Sequence, residues 1–390
     1  MFKTQLSALF AIIKREFYFV VNDKSISSIL LIAPLFFGIF YGTVYINKGE
    51  QDVPVAVLNL DNTQYSRDYI RAIDATEVVE IVKEIENYSA IEELIQSGEI
   101  QAAVVIPKNF YLSLTQGEKA SVKLYLNNLR FLSSNDINKA VTSVNLEAIK
   151  QLRLEMFKQK GYTSGEAEIL AEPIALGVHT LFNSSETYGE FLLPGMLILI
   201  LQQTLLIAMA QSIAKEKEQG SLKELWRTSG YSSLMALTGK GIFYLIISLC
   251  YAVFYYGFLF AILDVPLVGS PLLLLGITIV FLMATISLGF LMSSLFRRKL
   301  HALQLMAFST YVFFFLSGYS WPNEGLPVIL KYLSQVFPLT PFLKIYISVV
   351  SMGGEIAHIT DGLIHLIILF FILSTLAYTR LRYLFLSEAQ

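Results

Sequence analysis

The chain has 390 residues, of which 54% are hydrophobic and only 15% charged, and its mean hydropathy is +0.57. A soluble domain carries about 25% charged residues, so this composition belongs to a bilayer, and a net charge of −2 gives no reason to expect nucleic-acid binding. The single cysteine, Cys250, sits in an apolar run, which excludes a disulfide framework and a thiol zinc cluster. In chain order, residues 1–25 come first. Phe2, Leu6, Leu9, Ile13, Phe17 and Val20 recur at three-to-four-residue spacing while Lys3, Lys14 and Arg15 lie elsewhere on the wheel. That pattern predicts an amphipathic helix lying on a membrane surface, the alternative being a continuation of the first span. Residues 26–46 are long enough to cross the bilayer and lack a small-residue cleavage site, so they read as a retained span, not a secretory signal.

Between residues 47 and 189 the pattern changes to that of a soluble α/β domain. Residues 53–60, closed by Asp61 and Asn62, and residues 101–106, before Pro107, read as buried strands; 78–82 and 121–126 are weaker strands. Residues 90–96 and 108–115 read as helices, and 134–160 as a long amphipathic helix free of Pro and Gly. A further helix begins at Ser164, expected as its N-cap with Glu166 and Glu168 in the first turn, and leads toward the second span.

Residues 190–390 hold the other spans, at 191–214, 241–263, 271–296, 301–319 and 363–383. Six spans put both termini on one side. Lys14, Arg15 and Lys24, then Lys215, Lys217, Lys223, Arg227 and Lys240, then Arg297, Arg298 and Lys299, and finally Arg380 and Arg382 mark that side as cytoplasmic. Residues 47–189 are then external or periplasmic. Between the fifth and sixth spans, residues 320–354 contain four X-Pro steps that forbid one continuous helix. They are expected to form two short helices dipping partway into the membrane, a re-entrant hairpin, with a surface loop as the alternative. Tyr41, Tyr45, Tyr319 and Trp321 fall near outer boundaries and read as an interfacial aromatic belt. His358 and His365 lie seven apart without a neighbouring carboxylate or cysteine, so no metal site is expected.

The stretch 215–240 carries the strongest functional signal. Charge rises abruptly at Lys215, Glu216, Lys217 and Glu218, Gly220 breaks the helix, and Ser221 can cap a short helix with Leu222, Leu225 and Trp226 on one face. Three large apolar residues in a short polar hairpin point to a protein partner docking there. At these residues the chain resembles the permeases of type-2 ABC transporters, in which a Glu-rich exit from the second span, followed by Gly, Ser or Thr, Leu and a second Leu, forms the hairpin that contacts the ATPase. Glu216, Glu218, Gly220, Ser221, Leu222 and Leu225 match position by position, whereas Thr228, Ser229 and Gly230 stand where the family usually has Thr-Pro. Gly239 and Lys240, the Lys14-Arg15-Glu16 interface helix, Pro34 in the first span, and the Trp321-Pro322 and Phe337-Pro338 steps fit the same family in order. The insertion after the first span is similar to that of drug, ion or lipid exporters working with periplasmic adaptors.

The resemblance implies a permease subunit of an ATP-driven exporter in the cytoplasmic (inner) membrane of a bacterium. Its partners would be two copies of a separate ABC ATPase, a second permease (a twin or a paralogue), and an adaptor. No G-x-x-x-x-G-K-[ST] is present, so ATP and Mg are expected on the partner ATPase and no cofactor or catalytic residue in this chain. The spans hold almost no ionisable residues, which argues against proton coupling and for a hydrophobic or amphipathic substrate. Gln202, Gln203 and Thr204 in the second span, Thr285 and Ser287 in the fourth and Gln304 in the fifth are candidates for lining a pathway at a dimer seam, with interhelical hydrogen bonding as the alternative. Two other classes compete. A membrane enzyme acting on a lipid-linked substrate would need converging acids, and only Asp264 and Glu324 stand in the short outer loops; a sensor with an external ligand-binding domain would need a larger cytoplasmic part.

Overall fold

Peptide groups left unpaired in hydrocarbon are costly, so long apolar stretches fold as helices that satisfy their own backbone. The computed structural model describes residues 2–46, 49–172, 179–183 and 186–389. Among these, six helices are long and apolar enough to cross a membrane: Lys24–Val44, Tyr188–Gln219, Ser233–Ile262, Pro271–Leu295, Lys299–Leu316 and Ile356–Ala389. They are here the first to sixth spans. By contact the chain divides into two units, Gly49–His179 and the remainder. Part of the expected link from the α/β segment to the second span, residues 173–178, lies outside the described residues.

In the helical unit the second span is central. It packs against the first, fourth and fifth spans, and the fourth in turn carries the third and sixth. Its faces are therefore buried nearly all round and most of the fourth span is buried too, whereas the first, third, fifth and sixth keep broad apolar faces exposed. The first span and the third, at Tyr255–Leu259, each contain a π turn. Pro34 has no N–H to offer the carbonyl one turn back, and the first span widens into a π turn over Ser28–Ile32 just before it. Hydroxyls of the third span restore the accounts there: Tyr251 donates to the Leu31 carbonyl and Tyr255 to that of Pro34, each at 2.7 Å.

Tyr319 is not part of an interfacial belt. It is buried, and its hydroxyl is inserted into the second span, accepting from the Gly195 amide at 3.2 Å and donating to the Phe191 carbonyl. Those two groups would otherwise bond each other, so the tyrosine occupies one rung of the helix ladder. Any Cβ at position 195 would collide with its ring, which explains a glycine there. After Tyr319 the chain forms Val328–Ser334 and Leu339–Val350, two helices bent by 77°. The second is buried through Phe342, whose ring stacks on Phe281 of the fourth span at 4.0 Å. His365 binds the Gln335 carbonyl at the corner (2.9 Å), and His358 accepts from the Glu355 amide (3.1 Å); both roles are structural.

The other unit is an α/β sandwich. Strands β1 (Val53–Asn59), β2 (Val79–Glu84), β3 (Ala102–Ile106) and β4 (Lys123–Leu126) form a sheet of order β2-β1-β3-β4, parallel except for β4. Alternate residues of β1 and β3 feed separate cores. Val55, Val57, Val104 and Ile106 meet Tyr69, Ile137 and Val141, while Ala56, Leu58, Ala103 and Val105 meet Ile91 and Leu94. The helix Gln64–Asp74, absent from the sequence reading, is capped by Thr63 and buries Ser66, Tyr69 and Ile73. The helix at 164 is capped by Thr163, not Ser164, in a capping box with Glu166.

Candidate functional site

The N-terminal helix, Phe2–Val21, lies against the third span. What permits the close approach is Gly239, where a Cβ would stand 2.8 Å from the Cβ of Ile12. The docked face therefore carries Ile12, Glu16 and Val20, all fully buried, while Leu6, Phe10 and Phe17 remain exposed. Such an exposed aromatic face suits a membrane surface.

Docking Glu16 puts a carboxylate in the interior. One oxygen accepts from Tyr244 (2.9 Å) and Ser212 (3.1 Å), and the other meets Lys240 Nζ at 2.6 Å. Lys240 also reaches Glu216 at 3.0 Å and Ser212 at 3.0 Å. Arg15 clamps Glu216 with both terminal nitrogens, at 2.5 and 2.8 Å, and Ser221 donates to the same carboxylate. The cluster holds two carboxylates and two cations, so it is neutral, and every carboxylate oxygen has at least one donor. That balance is the condition under which buried charge is tolerable.

A second knot adjoins it. Asp23 caps the first span through the amides of Ser25 (3.1 Å) and Ile26 (3.4 Å), and pairs with Lys215 (3.0 Å) and Lys299 (2.6 Å). Burial would raise its pKa, but the hydrogen bonds from Lys299 and Lys215 outweigh that and hold the carboxyl down to about 2. The Lys299 amide donates to Glu218 at 2.9 Å, and Lys215 and Lys240 lie 3.8 and 4.6 Å from the Phe19 ring centre. The N-terminal helix, the end of the second span and the starts of the third and fifth are thus tied together at one end of the bundle.

The hairpin grows out of that knot. Gly220 takes the left-handed conformation (φ 67°) that ends the second span, and the Ser221 amide turns back to the Glu216 carbonyl at 2.9 Å. The short helix Leu222–Thr228 follows. Its apolar face is not free to receive a partner: Leu222 and Leu225 are buried in the chain's own core, and Trp226 stacks on Phe385 of the sixth span with ring centres 5.8 Å apart. The three residues read from sequence as a docking knob are the hairpin's attachment to the bundle. What the hairpin presents outward is Lys223, Glu224, Arg227 and Tyr231, with Glu224 also 3.5 Å from Arg15. Gly230 and Tyr231 both have positive φ, 63° and 61°, a turn that proline at either position would forbid.

The other expected residues are dispersed. Lys14 is exposed. Gln202, Gln203, Thr204 and Thr285 are buried inside this one chain, where Gln203 donates to the Met306 carbonyl and Thr204 to that of Ile200 (2.8 Å). They therefore do not face a seam between two copies; of the six candidates, Gln304 alone is exposed. Ser287 bonds Ser374 at 2.7 Å on the wall of an apolar cleft of about 250 Å³ between the third, fourth and sixth spans. Sequence reasoning missed Ser212, Tyr244, Asp23 and Lys299 as members of the charged knot. A usable signal was there: Glu16 and Lys240 each fall on an otherwise apolar helical face, and two such residues of opposite charge invite pairing.

This order of interface helix, span, α/β insertion, second span, charged hairpin and four further spans can be compared with known proteins. A family profile described as ABC-2 family transporter protein matches residues 24–379. The chain belongs to the ABC-2 transporter family. That bears out the resemblance read at the hairpin and makes the chain a membrane component of transport. Among ABC-2 relatives, ABC transporter G family member 20 of Dictyostelium discoideum is 24% identical over 343 residues, 85% of this chain. The chain spans only 44% of that protein's length. The probable multidrug ABC transporter permeases YbhS and YbhR of Escherichia coli (strain K12) are 23% and 21% identical over 343 residues, each alignment covering 86% of this chain and 86% or 88% of the relative.

Proposed function

We propose that this ABC-2 chain is the permease subunit of an ATP-driven exporter that moves a hydrophobic or amphipathic compound outward across a bacterial inner membrane. Two copies of a separate ATPase would supply the energy, and a second permease would complete the pathway. The observation that carries this reading is the charged knot. Through Glu216 it joins the hairpin and the N-terminal helix to the most buried helix of the bundle. A push on the hairpin is then delivered to the second span as a rigid-body movement and is not absorbed by a loose loop. The relatives described as probable multidrug permeases, and the near absence of unpaired charge within the spans, favour an apolar substrate.

In the same reading the knot, with its Lys and Arg, faces the cytoplasm, as the positive-inside bias demands. Both termini then lie inside, the α/β unit projects to the periplasm within reach of an adaptor, and the bent pair Val328–Ser334 and Leu339–Val350 re-enters from outside. Because Leu222, Leu225 and Trp226 are turned inward, the ATPase meets Lys223, Arg227 and Tyr231. The test is co-purification from detergent-solubilised native membranes, comparing wild type with the double variant Lys223→Glu, Arg227→Glu, which leaves the core intact. A Walker-motif ATPase should accompany wild type and be lost from a variant whose melting temperature is unchanged. Properly folded wild type that brings down no ATPase would refute the reading.

A further inference from the structure

Two groups of cations stand out at the hairpin end. Arg15, Lys215, Lys240 and Lys299 are paired with carboxylates. Lys217, Arg297 and Arg380 have no such partner among the described residues. Lys217, in the last turn of the second span, donates to the Ser294 carbonyl at 2.7 Å, at the close of the fourth. The charges that bear on it are both cations: Arg380 of the sixth span and Arg297, exposed in the link three residues past Ser294. Arg380 is half-buried, with its guanidinium 5.4 Å from the Tyr383 ring, and its Nε is sealed from solvent with no acceptor.

Capping the carbonyl end of the fourth span explains Lys217 alone. It leaves unexplained why the link after the fourth span and the sixth span bring like charges to the same place, where each disfavours the others. A bound anion answers that point. We propose that Lys217, Arg297 and Arg380 form a site for an anionic phosphate group, and that its source is the headgroup of an anionic membrane phospholipid. Arginines present N–H pairs matched to phosphate oxygens, and basic pockets between span ends are a recurrent way of holding such headgroups. Two features favour lipid over free phosphate. The three residues sit at the ends of spans, where headgroups lie. The apolar cleft is also lined by Phe290 and Ala377 of the same fourth and sixth spans, Ala377 being within one helical turn of Arg380. The site is independent of which compound is transported.

The probes are dioctanoyl phosphatidylglycerol, dioctanoyl phosphatidylcholine and sodium phosphate, added to the purified full-length chain in detergent, with melting temperature and bound-lipid count by native mass spectrometry as readouts. Phosphatidylglycerol should stabilise saturably and remain bound, while phosphatidylcholine at the same concentration does neither. Arg380→Gln and Lys217→Gln should each raise the midpoint for phosphatidylglycerol about fivefold, and Arg382→Gln, an exposed charge on the same helix end, should change it less than twofold. Arg380→Lys separates folding from binding: it should melt like wild type without lipid and show an intermediate midpoint. Equal stabilisation by the two lipids, or a loss with Arg382→Gln as large as with Arg380→Gln, would overturn the site. Sodium phosphate acting as well as phosphatidylglycerol would overturn the assignment to lipid.

Discussion

Replacing Lys240 by methionine removes one of the two cations that neutralise Glu16 and Glu216. The chain length is nearly kept, so the change is one of charge more than of volume. Both carboxylates are fully buried, and the variant would leave Glu216 with Arg15 and strip Glu16 of the cation it bonds. Breaking a buried ion pair from one side costs about 3–5 kcal/mol, because the remaining charge stays in a poor dielectric. For a unit of this size, each kcal/mol lowers the melting temperature by roughly 2–4 °C, so Lys240→Met should melt on the order of 10 °C below wild type. The partner substitution Glu16→Gln should also destabilise. Together the two restore neutrality and should recover at least half of the loss, a coupling that separates charge balance from packing. Tryptophan fluorescence during heating in detergent, at one scan rate, reports the transition through Trp226 at the hairpin. A Lys240→Met protein melting within 2 °C of wild type, or a double variant no better than the sum of its singles, would refute the reasoning.

Gly239→Val would drive a side chain into Ile12, so the N-terminal helix should detach and its amides should lose hydrogen-exchange protection. Gly241→Ala, whose nearest neighbour would be Ile286 at 3.5 Å, should leave that protection intact. Asp23 contributes through a carboxyl held at about 2, below its unfolded value near 4. Its stabilisation is therefore complete above about pH 4 and lost as pH falls toward 2; Asp23→Asn should remove that acid limb from the melting profile while leaving pH 5 to 8 flat. Tyr319→Phe would leave the Gly195 amide and the Phe191 carbonyl unpaired in the second span, a cost of about 1–3 kcal/mol. Gly195→Ala should be worse, because the ring itself must move; thermal melting of both variants decides the order.

Much of the architecture was legible because its signals are local. A run of about 20 apolar residues must be a helix whatever surrounds it, and the strands at 53–59 and 102–106 announce themselves as apolar runs bounded by turn residues. The helix Gln64–Asp74 escaped because it is short and largely polar, although Tyr65, Tyr69, Ile70 and Ile73 recur along it at helical spacing and pack on the core. The hairpin was found for a sound reason and given the wrong direction. Leu222, Leu225 and Trp226 do share a face, but sequence periodicity says only that a face is apolar, not what covers it. Here the cover is Phe385, more than 150 residues away along the chain.

The same division holds for the site. Composition, span lengths and the distribution of Lys and Arg determined by themselves that this is a membrane chain of six spans with its basic segments at one end, since each of those properties depends on the residue and its near neighbours. Pairing is different. That Glu16 meets Lys240, that Arg15 closes on Glu216, and that Gln202, Gln203 and Thr285 turn into the bundle were decided only by tertiary packing. An ionic or hydrogen-bonded contact depends on a few ångströms of separation between residues far apart in the chain: Glu16 and Lys240 are 224 positions apart, and Gly239 lets the one helix approach the other.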